Sequence, residues 1–141
     1  MSLANHTPKK RDTNDILTLR VLNRANGPLT AYQILDRLRS DGVSGPTTVY
    51  RALDRLIARG VVHRIESLNA YILCTCPTHS SPSVFAICEQ CGAVSEYSDP
   101  TVEKRLREIA GDVGFDIRAG SVELKGSCID CNEGARRKVL Q

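Results

Sequence analysis

Four cysteines in two identical knuckles, Cys88-Glu89-Gln90-Cys91 and Cys128-Ile129-Asp130-Cys131, constrain this chain more than any other feature. Two residues between cysteines let both thiolates of a pair turn onto one cation. Two such pairs complete the Cys₄ tetrahedron that Zn²⁺ takes at about 2.3 Å per sulfur. A single C-x-x-C is compatible with a redox dithiol. Two of them, far apart in sequence, predict a structural zinc rather than a pair of disulfides.

A chain of 141 residues forms one compact domain or two small ones. With 41% hydrophobic and 25% charged residues it is too apolar for a disordered chain. There is no tryptophan and only 4% aromatics, so the core must come from Leu, Val, Ile and Ala. Two lobes of such material are each marginal, and small lobes lean on a metal or a second subunit. The net charge of +3 is modest, but its distribution is not even. Residues 1–64 carry eleven of the nineteen Lys and Arg against five of the sixteen Asp and Glu. A basic first half and a mildly acidic second half predict a polyanion-binding lobe joined to a lobe with another task. No apolar run reaches transmembrane length and the start is polar, so the expected location is cytoplasmic, with reduced cysteines and no membrane partner.

Residues 1–12 read as a disordered basic arm. A first helix is expected from about Thr13, with Ile16, Leu17, Leu19, Val21 and Leu22 as its apolar stripe, ending at Asn26-Gly27-Pro28. Thr30 is placed to cap a second helix that turns Ile34, Leu35 and Leu38 inward. A third helix runs from Pro46 to Ala58. It directs Val49, Leu53, Leu56 and Ile57 inward and Thr47, Thr48, Tyr50, Arg51, Asp54 and Arg55 outward. Residues 61–65 and 70–73 read as a hairpin wing. Helix, helix, turn, helix and hairpin is the winged helix-turn-helix order, whose last helix enters the DNA major groove. A Pro/Ser/Thr-rich stretch then suggests a hinge. Beyond it, strands at 84–87 and 93–97 flank the first knuckle. A helix from Pro100 carries Val102, Leu106, Ile109, Ala110 and Val113 at 3.6 spacing, and a strand at 121–125 delivers the second knuckle. The expected class is α+β: an N-terminal winged-helix DNA-binding domain (1–74), a hinge (75–83) and a small α/β dimerisation domain (84–141).

Thr48-Val49-Tyr50-Arg51-Ala52-Leu53, then His63, then the two knuckles, resembles the ferric uptake regulator family of metal-dependent repressors. Glu66-Ser67-Leu68-Asn69-Ala70-Tyr71-Ile72-Leu73-Cys74 and Phe85-Ala86-Ile87-Cys88-Glu89-Gln90-Cys91-Gly92-Ala93-Val94 are similar to its zinc uptake regulator branch. The resemblance covers roughly residues 13–133. It implies a homodimer with a sensing metal between the lobes, and His63, Cys74, His79 and Glu96 match the branch's ligands. Two imidazoles, a thiolate and a carboxylate make an N/S/O tetrahedron suited to Zn²⁺. Two departures from the family stand out: Thr13-Asn14-Asp15-Ile16 replaces its T-P-Q-R, and Cys76 is an additional thiol beside Cys74. The iron-type His cluster is absent, with Pro82-Ser83-Val84-Phe85 in its place, which argues for zinc over iron.

The resulting expectation is a zinc-responsive repressor of zinc-uptake genes. It carries two Zn²⁺ per monomer, one structural and one regulatory, and binds palindromic operator DNA as a homodimer. Thr47, Thr48, Tyr50, Arg51 and Arg55 are the expected DNA contacts, with Lys9, Lys10 and Arg11 adding salt-sensitive affinity. Three alternatives remain at this point: a thiol- or peroxide-responsive regulator working through Cys74 and Cys76, a sensor of Mn or Fe, and a thiol oxidoreductase. The last lacks the βαβ context such an enzyme uses, and no Ser-His-Asp triad or phosphate loop is present.

Overall fold

The computed structural model describes residues 10–76 and 82–133. The chain divides into two compact units, Met1–Cys74 and Thr75–Gln141.

The first unit contains α1 (Lys10–Arg24), α2 (Ala31–Leu38), α3 (Pro46–Ala58) and an antiparallel hairpin of β1 (Val62–Ile65) and β2 (Ala70–Leu73). Thr30 starts α2 through a reciprocal capping box: its Oγ1 accepts from the Gln33 N–H at 3.2 Å, and Gln33 Oε1 accepts from the Thr30 N–H at 2.9 Å. The hairpin turns through Asn69 at φ 47°, a left-handed position that asparagine tolerates. A backbone pair between Leu29 and Tyr71, at 2.7 and 3.0 Å, ties the wing to the segment before α2. Leu22, Leu35, Leu38, Val49, Leu53, Leu56 and Val62 close one continuous core. Three helices with a two-stranded wing make this unit a winged helix.

Two expectations about this unit are corrected. Residues 10–12 are the first turn of α1, not part of an arm, and Asp12 there complements the positive end of the helix dipole. The inward face of α1 is also broader than the apolar stripe of Ile16, Leu17, Leu19, Val21 and Leu22: Leu17, Leu19 and Val21 pack partly buried against the core beside Leu22, Ile16 points away, and two polar residues join the face. Only Leu22 of that set is buried, Ile16 is 55% exposed, and the other buried positions are Asp15 and Thr18. These three share a face at i, i+3 and i+7. Each polar member is satisfied: Thr18 Oγ1 donates to the Asn14 carbonyl at 2.8 Å, and Asp15 meets Arg55 of α3. In α3 the inward set includes Ala52, while Ile57 lies 37% exposed.

The second unit contains β3 (Ser83–Cys88), β4 (Val94–Tyr97), α4 (Pro100–Asp112) and β5 (Ser121–Gly126), in sheet order β4-β3-β5. β4 is antiparallel to β3 and β5 is parallel to it. Asp99 caps α4 by accepting from the Thr101 and Val102 N–H groups at 2.8 and 3.2 Å. The expected apolar period of α4 is present but not covered: Val102, Ile109 and Val113 are 45%, 50% and 82% exposed. Among the described residues only Phe85, Ile87 and Cys88 of this unit are buried hydrophobics. No described helix is long and apolar enough to cross a membrane.

Candidate metal centres and nucleic-acid interface

Parallel pairing of β3 and β5 brings the knuckles together. The register sets Cys88 opposite Gly126, so both strands deliver their C-terminal ends to one edge of the sheet. The Glu89 N–H donates to the Gly126 carbonyl at 2.8 Å and extends this pairing into the first knuckle. Each knuckle is a tight turn on its first cysteine. The Gly92 N–H reaches the Cys88 carbonyl at 2.9 Å, with Gly92 at φ 76°, where a side chain would be strained. The Cys131 and Asn132 N–H groups reach the Cys128 carbonyl at 3.1 and 2.9 Å.

The four Sγ atoms all lie within 4.8 Å of one another, with Cys91 and Cys128 at 3.7 Å. A tetrahedron with bonds of about 2.3 Å has S···S edges of about 3.8 Å. The sulfurs therefore stand at zinc-shell spacing, whereas a disulfide needs about 2.05 Å. None of the six cysteines is in a disulfide. Backbone N–H groups already favour one thiolate: donation from Cys128, at 3.3 Å, and from Cys91 lowers Cys88 to about 6. Hydrogen bonding to Cys128 pushes Cys131 up to about 12. At Cys91 the Ala93 N–H pulls downward, but Cys88 and Cys128 raise the thiol on balance. Crowded thiols that cannot all ionise side by side are the arrangement a divalent cation resolves.

His63 and Cys74 also meet. His63 sits on β1 opposite Ile72, and Cys74 follows β2, its N–H donating to the Val61 carbonyl at 3.0 Å. Both side chains are half-buried, a ligand nitrogen and the sulfur lie within 4.8 Å, and Nε2 of His63 is shielded from solvent. An imidazole nitrogen and a thiolate on one tetrahedral zinc stand about 3.6 Å apart, so the pair fits that chemistry. Glu96 lies on β4 in the second unit, where its Oε2 accepts from the Thr75 N–H at 2.9 Å and the Thr75 hydroxyl at 3.2 Å. His79 lies outside the described residues, as does Lys9.

On α3, Thr47, Tyr50 and Arg51 are exposed, and Thr48 and Arg55 are half-buried. Arg55 differs from its neighbours in being engaged. Its Nε donates to both Asp15 oxygens at 3.1 Å and its Nη2 to Oδ1 at 2.6 Å. This hydrogen bonding to Asp15 raises the guanidinium pKa, so its charge is held. Sequence reasoning did not find Asp15, because its partner stands forty residues away. The available signal was a carboxylate on the face of α1 that three-four spacing turns inward.

The family model described as "Ferric uptake regulator family" matches residues 10–125. The zinc uptake regulation protein of Escherichia coli K12 is 41% identical over 119 residues, covering 82% of this chain and 68% of that protein. A ferric uptake regulation protein of Bordetella parapertussis is 44% identical, but over 48 residues, 34% of each chain. Among solved structures, a zinc uptake regulator complexed with zinc and DNA has a TM-score of 0.79 at 37% identity, covering 87% of this chain and 83% of that one. A holo form of XcZur has a TM-score of 0.76 at 37% identity, covering 84% and 83%.

Proposed function

This chain belongs to the ferric uptake regulator family, and we propose that it is a zinc-responsive transcriptional repressor of zinc-uptake genes, acting in the cytoplasm on double-stranded operator DNA. It is a regulator and not an enzyme. The observation that carries the zinc assignment is the pairing of His63 and Cys74 on one wing, a nitrogen–sulfur pair that suits Zn²⁺ better than the oxygen-preferring Mn²⁺. The 41% identity with the Escherichia coli zinc uptake regulation protein supports the same reading.

In this reading each protomer holds two Zn²⁺. Cys88, Cys91, Cys128 and Cys131 hold the structural ion, which fastens the end of β5 to the β3–β4 turn. His63, Cys74, His79 and Glu96 hold the regulatory ion. The first two come from the winged domain (1–74), His79 from the hinge (75–83) and Glu96 from the dimerisation domain (84–141). A shell drawn from three parts of the chain fixes the wing's orientation only when filled. That is how a small ion can gate a large surface: it binds one interdomain arrangement more tightly than the others. The uncovered stripe of Val102, Ile109 and Val113 on α4 supports a homodimer, since a second copy would remove it from water. The dimer then presents two α3 helices to successive major grooves of a palindrome. Exposed Arg51 reads a purine edge and Tyr50 a base or thymine methyl, while Thr47, Thr48 and Arg55 contact backbone or groove wall. Zinc and DNA raise each other's affinity by the same factor, typically worth about 1–3 kcal/mol.

The test measures zinc per protomer before and after mild chelation, with DNA binding followed in the same samples. Two zincs falling to one, with binding lost and restored by zinc alone, is the expected result. One zinc throughout, with binding indifferent to chelation, would overturn the regulatory site.

A further inference from the structure

A cleft of about 300 Å³ opens between the start of α1 and the outward face of α3, lined by Lys10, Arg11, Asn14, Thr48, Arg51 and Arg55. Four of the six are cations, and all lie in the first unit. The nearby carboxylates are Asp15, 6% exposed, and Asp12, whose charge also acts on Arg55. Four positive charges against two negative leave a net excess beside exposed Tyr50 and Arg51. Arg55 cannot swing freely within this wall. Its Nε and part of Nη2 are fastened to Asp15, which leaves three of its five N–H groups outside that pair. A guanidinium tied along one edge presents its remaining donors at a set place and loses little side-chain entropy when it binds.

We propose that this cleft seats one backbone phosphate of the bound duplex, and that Asp15 is the positioning residue that holds Arg55 in its wall. Arg55 then senses backbone charge and not base identity, and α1 joins α3 in the DNA interface. The proposal rests on the DNA-binding reading above.

The decisive variant is Asp15→Asn. If only Coulomb attraction mattered, removing a negative charge beside a polyanion would tighten binding. If Asp15 positions Arg55, binding weakens although the net charge rises. The full-length, zinc-loaded dimer is titrated between 50 and 300 mM salt. The probes are a duplex recovered from a random-sequence library by the wild-type protein and a scrambled duplex of the same composition. Arg55→Ala is expected to weaken both probes by the same factor. It should also flatten the slope of log affinity against log salt by about 1.8, since two phosphates per dimer each contribute about 0.9. That slope change corresponds to roughly thirtyfold at 0.15 M salt. Arg11→Ala, exposed and outside the Asp15–Arg55 ion pair, should give the same signature in a protein whose core is untouched. Arg51→Ala is the contrast and should collapse the ratio between the two probes.

Unchanged salt slopes in Arg55→Ala and Arg11→Ala, or tighter binding by Asp15→Asn, would overturn the phosphate seat while leaving the DNA-binding reading intact. A wild-type protein that enriches no duplex, or binds both probes equally with and without zinc, would overturn the parent reading instead. Circular dichroism and zinc content accompany every variant. A purely structural role for Arg55 would lower thermal stability without moving the salt slope.

Discussion

Replacing Cys128 with serine tests the Cys₄ centre where it is most exposed to failure. Cys128 serves twice: its sulfur stands 3.7 Å from that of Cys91, and its N–H supports the Cys88 thiolate. Serine preserves the backbone donor and removes only the sulfur, because its hydroxyl stays protonated at pH 7. Structural zinc contributes about 10–16 kcal/mol of apparent binding energy in small Cys/His sites. One ligand in four is worth on the order of 2.5–4 kcal/mol of that, which is roughly 10²–10³-fold in zinc affinity. The second unit has few other supports, since its buried hydrophobics among the described residues are Phe85, Ile87 and Cys88. A loss of that size is a large share of the 5–15 kcal/mol that stabilises a typical domain. Competition against a chelator of known affinity reads the zinc term. Hydrogen exchange reads the structural one: the Glu89 amide bound to Gly126 and the β3–β5 ladder should lose protection, while core amides of α3 keep theirs. Unaltered chelator resistance together with full β3–β5 protection would refute the argument that this metal fastens the second unit.

Three further outcomes follow from the same geometry. His63→Ala should leave one zinc and the fold in place but abolish the zinc dependence of DNA binding, checked by metal analysis and anisotropy on the same sample. Thr30→Ala breaks the capping box and should cost about 1 kcal/mol, lowering the melting temperature by several degrees without altering zinc content. Ile109→Asp places a charge in the uncovered stripe of α4, and light scattering should show the dimer shifted toward monomer at micromolar protein, with its Cys₄ zinc retained.

Much of this protein was legible because the informative signals were local. C-x-x-C spacing specifies which sulfurs can share a cation whatever the rest of the chain does. Thr30 and Asp99 mark helix beginnings by cap hydrogen bonds that reach only three residues, and Pro46 by a backbone angle already set for a first turn. Alternation and 3.6 spacing then located α3, α4 and the wing. Local signals cannot say what a face meets. The stripe on α4 is a true amphipathic period, yet none of the described residues of its own unit buries it, so periodicity alone could not separate a core from an interface. On α1 the error ran the other way. Asp15 and Thr18 look solvated by type, but burial follows the helical position, and the pairing of Asp15 with Arg55 exists only once α1 and α3 pack. The meeting of the knuckles depended likewise on parallel pairing of β3 with β5, and that of His63 with Cys74 on the hairpin register. Composition and spacing determined which chemistry this chain carries. Packing between segments distant in sequence decided which of those groups stand together, because contacts across many residues leave no periodic trace in the chain that makes them.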